Sequence, residues 1–271
     1  MASSIAVVIS TYNAPDFLRL TLEAYRQQTD LHFAIYIADD GSSAATANLI
    51  HQMQQQFPVP IHHIWQADRG FRKARIHNET FRQIKEPYTL LTDGDCMPTP
   101  KLIAAHRKQA QAHCFLSGSR ILLAEAWTHS LCQHQKFTTT QSGWWWLQQR
   151  LHKNINRLFP LLMPSSLSTA KESLKGIRGC HLSCATSALL RVNGFDESFV
   201  GWGREDSDLT ARLLHAGFKR CNLRGTPVLH LWHQEFSRSQ LADNDTTLKT
   251  CLAERRIEAV RGLKQLGDID A

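Results

Sequence analysis

From Gly201 to Asp208 the chain reads Gly-Trp-Gly-Arg-Glu-Asp-Ser-Asp, with three carboxylates within four residues after a tryptophan flanked by glycines. Upstream, Asp93-Gly94-Asp95 closes an apolar run, and downstream His230-Leu231-Trp232-His233 supplies two imidazoles. Carboxylate oxygens suit a hard divalent cation, a carboxylate can accept a proton, and a flat ring such as Trp202 can stack on a sugar. The simplest chemistry joining these parts is metal-assisted transfer of a sugar from a nucleotide diphosphate to a hydroxyl.

Such groups need a scaffold that brings them together. The first hundred residues alternate strand and helix patterns, predicting strands over 5–9, 32–38, 61–66 and 88–92 with helices over 16–27, 44–56 and 73–84. This is an α/β pattern, with a mostly parallel central sheet flanked by helices. The strands end at the polar tips Ser10-Thr11, Asp39-Asp40 and Asp93-Gly94-Asp95. Ligands of open α/β sheets bind outside the carboxyl ends of the strands, so these tips are expected to converge. A helix over 99–112 and a strand over 114–120 follow, then a returning strand over 180–190, a helix over 205–215 and a surface helix over 247–266.

At 271 residues, 42% hydrophobic and 20% charged, the chain suits one folded domain. We divide it into a nucleotide-binding half (1–120), an acceptor and base half (121–246) and a C-terminal helix (247–271). The seven scattered cysteines suggest reduced structural thiols in a cytoplasmic protein. No basic, apolar leader and no apolar run of spanning length is read in the sequence. The net charge of +7 fits an anionic partner without specifying which. Between 125 and 175, Trp144-Trp145-Trp146 is followed by Arg150, His152, Lys153, Arg157 and the apolar run from Leu158 to Pro164. This stretch reads as part of an acceptor region. Its basic amphipathic face fits either a peripheral contact with the anionic inner face of a membrane or an ordinary surface hairpin.

Each motif also has a purely structural reading. Asp93-Gly94-Asp95 could be a turn closing a strand, Asp39-Asp40 a helix cap, and Glu205-Asp206 an acidic helix start. Their order along the chain favours function. Val7-Val8-Ile9-Ser10-Thr11-Tyr12-Asn13, Ala38-Asp39-Asp40-Gly41-Ser42 and Thr92-Asp93-Gly94-Asp95 resemble the three successive nucleotide-sugar motifs of family 2 glycosyltransferases. Phe71 to Asn78 resembles the basic segment that contacts uridine diphosphate in that group. Gly201 to Asp206 is similar to the acceptor and base motif of β1,4-galactosyltransferases and bacterial chondroitin polymerase domains.

The resemblance implies an A-type glycosyltransferase (GT-A) fold and a manganese or magnesium ion. It implies that Thr11, Tyr12 and Asp40 hold the nucleoside, that Lys73 and Arg75 lie near the donor, and that Asp93 and Asp95 form the metal motif. It also implies that Asp206 is the catalytic base, with Glu205 and Asp208 supporting it or orienting acceptor hydroxyls. His233, and less directly His230, would complete the metal site. Three residues apart on a strand their rings would face opposite sides, so both can serve only if the backbone turns there. His181 stands where relatives often carry asparagine and is expected at the acceptor. Arg204 replaces a glycine of the galactosyltransferases and would suit an acceptor carboxylate or phosphate, while Arg72 is expected on a solvated face. The implied reaction inverts a UDP-sugar or similar donor onto a glycan or lipid-linked acceptor.

Three rivals are weighed. A sugar-phosphate nucleotidyltransferase should carry a glycine-rich basic loop after its first strand, where this chain has Ser10-Thr11-Tyr12-Asn13. A non-catalytic glycan-binding module would explain the tryptophans but not the ordered carboxylates. A nucleic-acid partner would call for a recognition motif or a concentrated basic stripe, and neither is read in the sequence.

Overall fold

The computed structural model describes residues 2–135, 137–168, 172–234 and 237–267. Its first half alternates as the apolar runs predict: β1 (Ile5–Thr11), α1 (Pro15–Arg26), β2 (Phe33–Asp39), α2 (Ala44–Gln54), β3 (Ile61–Trp65), α3 (Lys73–Phe81) and β4 (Tyr88–Asp93). Next come β5 (Cys96–Pro98), α4 (Leu102–Gln109), β6 (Cys114–Ser117), β7 (Arg120–Leu122), α5 (Glu125–His134), α6 (Gly143–Leu151), α7 (Phe159–Leu162) and β8 (Ser166–Leu167). The remainder is β9 (Leu182–Ala185), α8 (Thr186–Arg191), α9 (Glu205–His215), β10 (Lys219–Arg224), β11 (Val228–His230) and α10 (Leu241–Ala253).

The main sheet runs β3-β2-β1-β4-β9-β6-β10-β8. Strands β1 to β4 are parallel, and β1 and β2 are buried on both faces almost throughout. Helices cover such strands on both sides, which explains their continuous apolar sequence rather than an alternating one. On one face Leu18, Leu22 and Tyr25 of α1 and Leu49, Ile50 and Met53 of α2 join Val7, Ile9 and Ile35. On the other, Ala74 and Ile76 of α3 and Leu209 and Leu213 of α9 pack on Ala6, Val8 and Leu182. Each leucine sealed in this way contributes about 2 kcal/mol.

Because β9 is antiparallel to both β4 and β6, strand β6 runs in the same direction as β4, and β10 is parallel to β6. The carboxyl ends of β1, β2, β4, β6 and β10 therefore share one edge. A second, three-stranded sheet, β5-β11-β7, closes that edge, and the sequence reading did not contain it. Helix α1 bridges the sheets: Leu18 and Leu22 face the large sheet's core, while Leu20 and Ala24 meet Met97, Ile121, Leu229 and Trp146 beside the small one.

Two expected elements change. The strand expected over 180–190 is a short 3-10 turn (Gly179–His181), then β9, then helix α8. Its apolar composition did not separate strand from helix. The C-terminal helix expected over 247–271 is shifted: α10 spans Leu241–Ala253, and beyond it the described chain holds only a 3-10 turn at Leu263–Gln265. Asn244 of α10 donates to the carbonyls of Val200 (3.1 Å) and Gly203 (2.9 Å), so this helix braces the loop before α9.

Candidate active site

The three polar tips do meet. The Gly94 amide donates to the Ser10 carbonyl (2.8 Å), and the Asp40 amide to that of Thr11 (3.0 Å). Thr11 is buried, and the exposed Tyr12 donates its hydroxyl to Asp68 (2.8 Å). Asp40 is buried and accepts from the Arg72 amide (2.8 Å) and the Gln66 side chain. Burial raises its pKa, opposed mainly by the Arg72 amide. Asp39 lies deeper, accepting from the Ser42 amide (2.9 Å) and contacting His63 (2.9 Å). The two adjacent aspartates thus divide their roles: Asp39 fixes the turn, and Asp40 lines the loop that follows β3.

At the end of β4, Asp93 Oδ1 accepts from Ser10 Oγ (2.7 Å) and from Lys73 Nζ (2.6 Å). Burial works against ionisation of Asp93, but Lys73 holds its pKa below the usual value. Asp95 sits where the two sheets join. Antiparallel pairing sets His230 opposite Cys96, and the Leu231 amide donates to the Asp95 carbonyl (2.9 Å). Strand β11 ends at His230, so the backbone is free to turn, and both imidazoles reach the same carboxylate. His233 Nε2 lies 3.1 Å and His230 Nε2 3.7 Å from Asp95 Oδ2, with ring centroids 5.2 Å apart. Although burial opposes its charge, the bond from His233 and the nearby His230 bring the Asp95 pKa down to about 2. Asp95 in turn raises that of His233, whereas burial lowers that of His230.

One carboxylate and two imidazoles around one carboxylate oxygen form an oxygen–nitrogen donor set suited to a divalent metal ion. Donor atoms of Asp95, Cys96 and His230 lie within 4.8 Å of one another. Burial and the adjacent Cys180 keep Cys96 a thiol, and its Sγ–H points to Asp95 (3.2 Å). The residues therefore fit a divalent ion held by Asp95, His230 and His233.

Helix α9 brings its amino end towards Lys73 and Asp93. Asp206 Oδ2 accepts from the Gly179 amide (2.9 Å) and Oδ1 from Ser207 Oγ (3.2 Å). A side chain at Gly179 would press within 3.2 Å of the Asp206 Cβ, so glycine permits that close approach. Burial and the neighbouring Asp206 push Glu205 up to about 7, against the pull of Lys73. Glu205 Oε2 is buried and, among the described residues, has no hydrogen-bond partner. Burial alone would lower the Lys73 pKa, but the negative charges of Asp93, Glu205 and Asp206 together raise it. The lysine thus joins the tip of β4 to the start of α9.

Four expectations are corrected. Asp208 is 1% exposed and accepts from Arg212 Nε (2.8 Å) one helical turn on, so it cannot orient an acceptor. The i, i+4 spacing of that pair was a readable signal of this role. His181 is also sealed: its Nδ1 lies 3.0 Å from the Ser119 carbonyl and its Nε2 2.9 Å from His106. Arg75 turns towards Glu79 (3.7 Å) and Glu197 (3.8 Å), since two residues along a helix carry it away from the face of Lys73. Arg204 stays at the surface, where it pairs with Asp245. Arg72 is not a solvated side chain: Nη2 donates to the Ala67 carbonyl (2.7 Å), and Nε is buried. Trp202 remains 38% exposed, with the Arg238 guanidinium 5.5 Å from its ring centre.

The sequence reading missed the loop between β3 and α3, where Gln66 and Asp68 meet Asp40 and Tyr12. Gly41, at φ +92°, makes this possible, because any side chain there would lie 2.6 Å from the Asp68 backbone. The rule that pointed to three strand ends applies equally to β3, and would have found the fourth.

The family model described as Glycosyl transferase family 2 matches residues 6–174, and that described as the N-terminal domain of galactosyltransferase matches 162–234. Validoxylamine A glucosyltransferase of Streptomyces hygroscopicus subsp. jinggangensis is 27% identical over 77% of this chain and 51% of its own length. Chondroitin synthase of Pasteurella multocida is 24% identical over 85% of this chain and 25% of its own. The chain thus spans about half of the first relative and a quarter of the second. Among solved structures, S. aureus TarS 1-349 in complex with UDP-GlcNAc matches with a TM-score of 0.63 and 12% identity, over 96% of this chain and 68% of that one. GalNAc-T7 with UDP, GalNAc and Mn2+ matches at 0.59 and 14%, over 86% and 45%. These structural likenesses establish the GT-A fold. With the family model covering well over half the chain, the protein belongs to glycosyltransferase family 2.

Proposed function

We propose that this chain catalyses a metal-dependent, inverting transfer of a sugar from a nucleotide-diphosphate donor, a UDP-sugar, to a hydroxyl of a glycan or lipid-linked saccharide. The observation that carries the reading is the meeting of Asp95, His230 and His233 at one point, beside Lys73 and the carboxylates of α9. Thr11, Tyr12, Asp40 and the loop at Gln66 and Asp68 would hold the nucleoside and ribose. Asp95, His230 and His233 would hold manganese or magnesium, which when bound neutralises charge on a departing diphosphate. Lys73 adds a fixed cation beside it.

Asp206 takes the acceptor proton as the hydroxyl oxygen bonds to the anomeric carbon. The bond from that carbon to the diphosphate breaks on the opposite face, turning an α-linked donor into a β-glycoside. Held by the Gly179 amide through Oδ2, the Asp206 carboxylate is already oriented, and fixed orientation supplies much of the acceleration in such a displacement. Trp202 offers a partly exposed ring to the acceptor. Release of nucleoside diphosphate from a panel of nucleotide sugars, with manganese or magnesium, tests the reading. Failure of every nucleotide sugar to bind would remove it.

Peripheral attachment to an anionic membrane forms part of this proposal. Trp144, Leu151, Phe159 and Leu162 are between 52% and 71% exposed. From 126 to 171 the sequence carries Lys136, Arg150, Lys153, Arg157 and Lys171, and no aspartate or glutamate. An exposed apolar edge within a purely cationic segment suits an anionic bilayer surface. Among the described residues no helix is long and apolar enough to cross a membrane. Co-sedimentation with phosphatidylglycerol vesicles but not phosphatidylcholine vesicles is expected, and Trp144→Ser with Phe159→Ser should reduce it. Synthesis of a cell-surface polysaccharide or lipopolysaccharide is the setting this activity suits.

A further inference from the structure

We propose that a cavity at the carboxyl ends of β6 and β10 is a subsite for an anionic acceptor saccharide, one carrying a carboxylate or phosphate. The proposal rests on the transfer reading above and names the substrate class for its acceptor side. The cavity has a volume of about 510 Å³ and is lined by Ser117, Ser119, Phe159, Met163, Arg220 and Arg224, among others. That volume lies within the range of small-ligand pockets, which is about 300–1,000 Å³. None of its lining residues is acidic.

Two groups point to an anion. Arg220 is 5% exposed, yet among the described residues no carboxylate pairs with it. Its Nε donates to Asn222 (3.1 Å) and its Nη1 to the carbonyls of Ser173 (2.6 Å) and Lys175 (2.9 Å). Burying a guanidinium against dipoles alone is costly, and an incoming anion would complete it. Independently, Ser117 is 2% exposed, and among the described residues its Oγ has no hydrogen-bond partner. The register pairs Ser117 with Asn222, so Ser117 shares a sheet face with Arg220 and Arg224, while Cys221 and Leu223 point to the other. Arg224 is exposed and stands on that same face. Phe159 and Met163 give an apolar wall suited to the carbon–hydrogen face of a sugar ring.

Location makes this an acceptor subsite. The cavity opens at the sheet edge that carries Asp93, on the side away from β1 to β3. One turn joins it to the proposed base: the Gly118 amide donates to the His181 carbonyl (2.9 Å), and His181 Nδ1–H donates to the Ser119 carbonyl (3.0 Å). Two residues earlier in that turn, the Gly179 amide holds Asp206. Past Ser119 the chain enters β7, which pairs Leu122 with His230 at the metal cluster.

Calorimetric titration of the full chain with methyl β-D-glucuronide, glucose 6-phosphate and methyl β-D-glucoside tests this, with UDP and manganese as a separate titration. At least one anionic sugar should bind ten-fold or more tightly than the neutral glucoside, and comparison of the two assigns carboxylate or phosphate. Arg220→Gln would also loosen the 173–175 backbone, so Ser117→Ala, Arg224→Gln and the cavity-filling Met163→Trp carry the test. Each should weaken the anionic sugar at least five-fold and leave UDP binding within two-fold. Equal binding of the neutral sugar, no binding of either anion, or insensitivity to all three variants would overturn the subsite while leaving donor chemistry intact. Failure of UDP to bind the parent chain would strike the transfer reading, and with it the acceptor role of the cavity.

Discussion

Two polar clusters share helix α9 and have opposite characters. At its amino end Glu205 and Asp206 face Lys73 and the tip of β4, with Glu205 Oε2 left without a partner among the described residues. One turn further, Asp208 and Arg212 are sealed in the core, where Arg212 Nη1 also donates to the Gly194 carbonyl (2.8 Å). The histidines divide in the same way. His230 and His233 converge on a carboxylate at the sheet edge, whereas His106 and His181 lie in a wholly neutral chain. In that chain the Ser119 carbonyl fixes the proton on His181 Nδ1, so His106 Nε2–H must donate to His181, and Ser183 and Tyr88 complete the line. Burial lowers the pKa of both inner histidines, to about 4 for His181, so they stay uncharged at neutral pH. Residue type does not separate a working cluster from a structural one. The groups proposed to work are those that face the open sheet edge.

The sharpest way to break this distinction is Asp206→Asn. With a general base removed, kcat should fall about 10²- to 10⁴-fold with donor KM little changed, measured as nucleoside diphosphate release. A variant that transfers as well as the parent would remove the base assignment. Asp208→Ala should do the reverse. Leaving Arg212 unpaired in the core is expected to cost about 3–5 kcal/mol in denaturant unfolding, with kcat of the folded fraction preserved. Activity lost without stability would return Asp208 to the site.

For His233→Ala, about 10- to 100-fold weaker manganese binding is expected by titration, with the fold intact by circular dichroism. Metal removal by a chelator should abolish transfer, and manganese should restore it. Glu205→Gln tests the strained carboxylate in metal-free protein. The folded pKa of Glu205, about 7, lies above its unfolded value near 4.5, so the folded state holds the extra proton between them. The parent should therefore lose stability as pH rises from about 4.5 to 7, on the order of 2 kcal/mol, and Glu205→Gln should flatten that slope. Smallest is Arg204→Gln: its pair with Asp245 is solvent-exposed, so less than about 1 kcal/mol is expected in thermal unfolding.

Much of the site was legible because it lies at strand ends. Continuous apolar runs located β1, β2 and β4, and the polar residue that stops each run marks the ligand edge. Ordered motifs pointed to Asp93, Asp95 and Asp206, and the fold places the two aspartates of β4 and its turn at that edge. The small sheet was not legible. β5 and β11 are three residues each, too short for periodicity to register, yet their pairing brings His230 and Asp95 together. Which buried polar groups are satisfied was also hidden, since a sealed histidine and one at an open sheet edge read alike in a sequence.

Local chemistry in the chain therefore determined which residue types are available: the acids, the late imidazoles, the basic helix start and the alternation that builds a parallel sheet. Only the tertiary structure decided their allegiance, sending Asp208 to Arg212, Arg75 to Glu79 and Glu197, and His181 to His106. The physical reason is that secondary structure depends on neighbours in sequence. Solvation and charge pairing depend on neighbours in space, and long-range strand register chooses those.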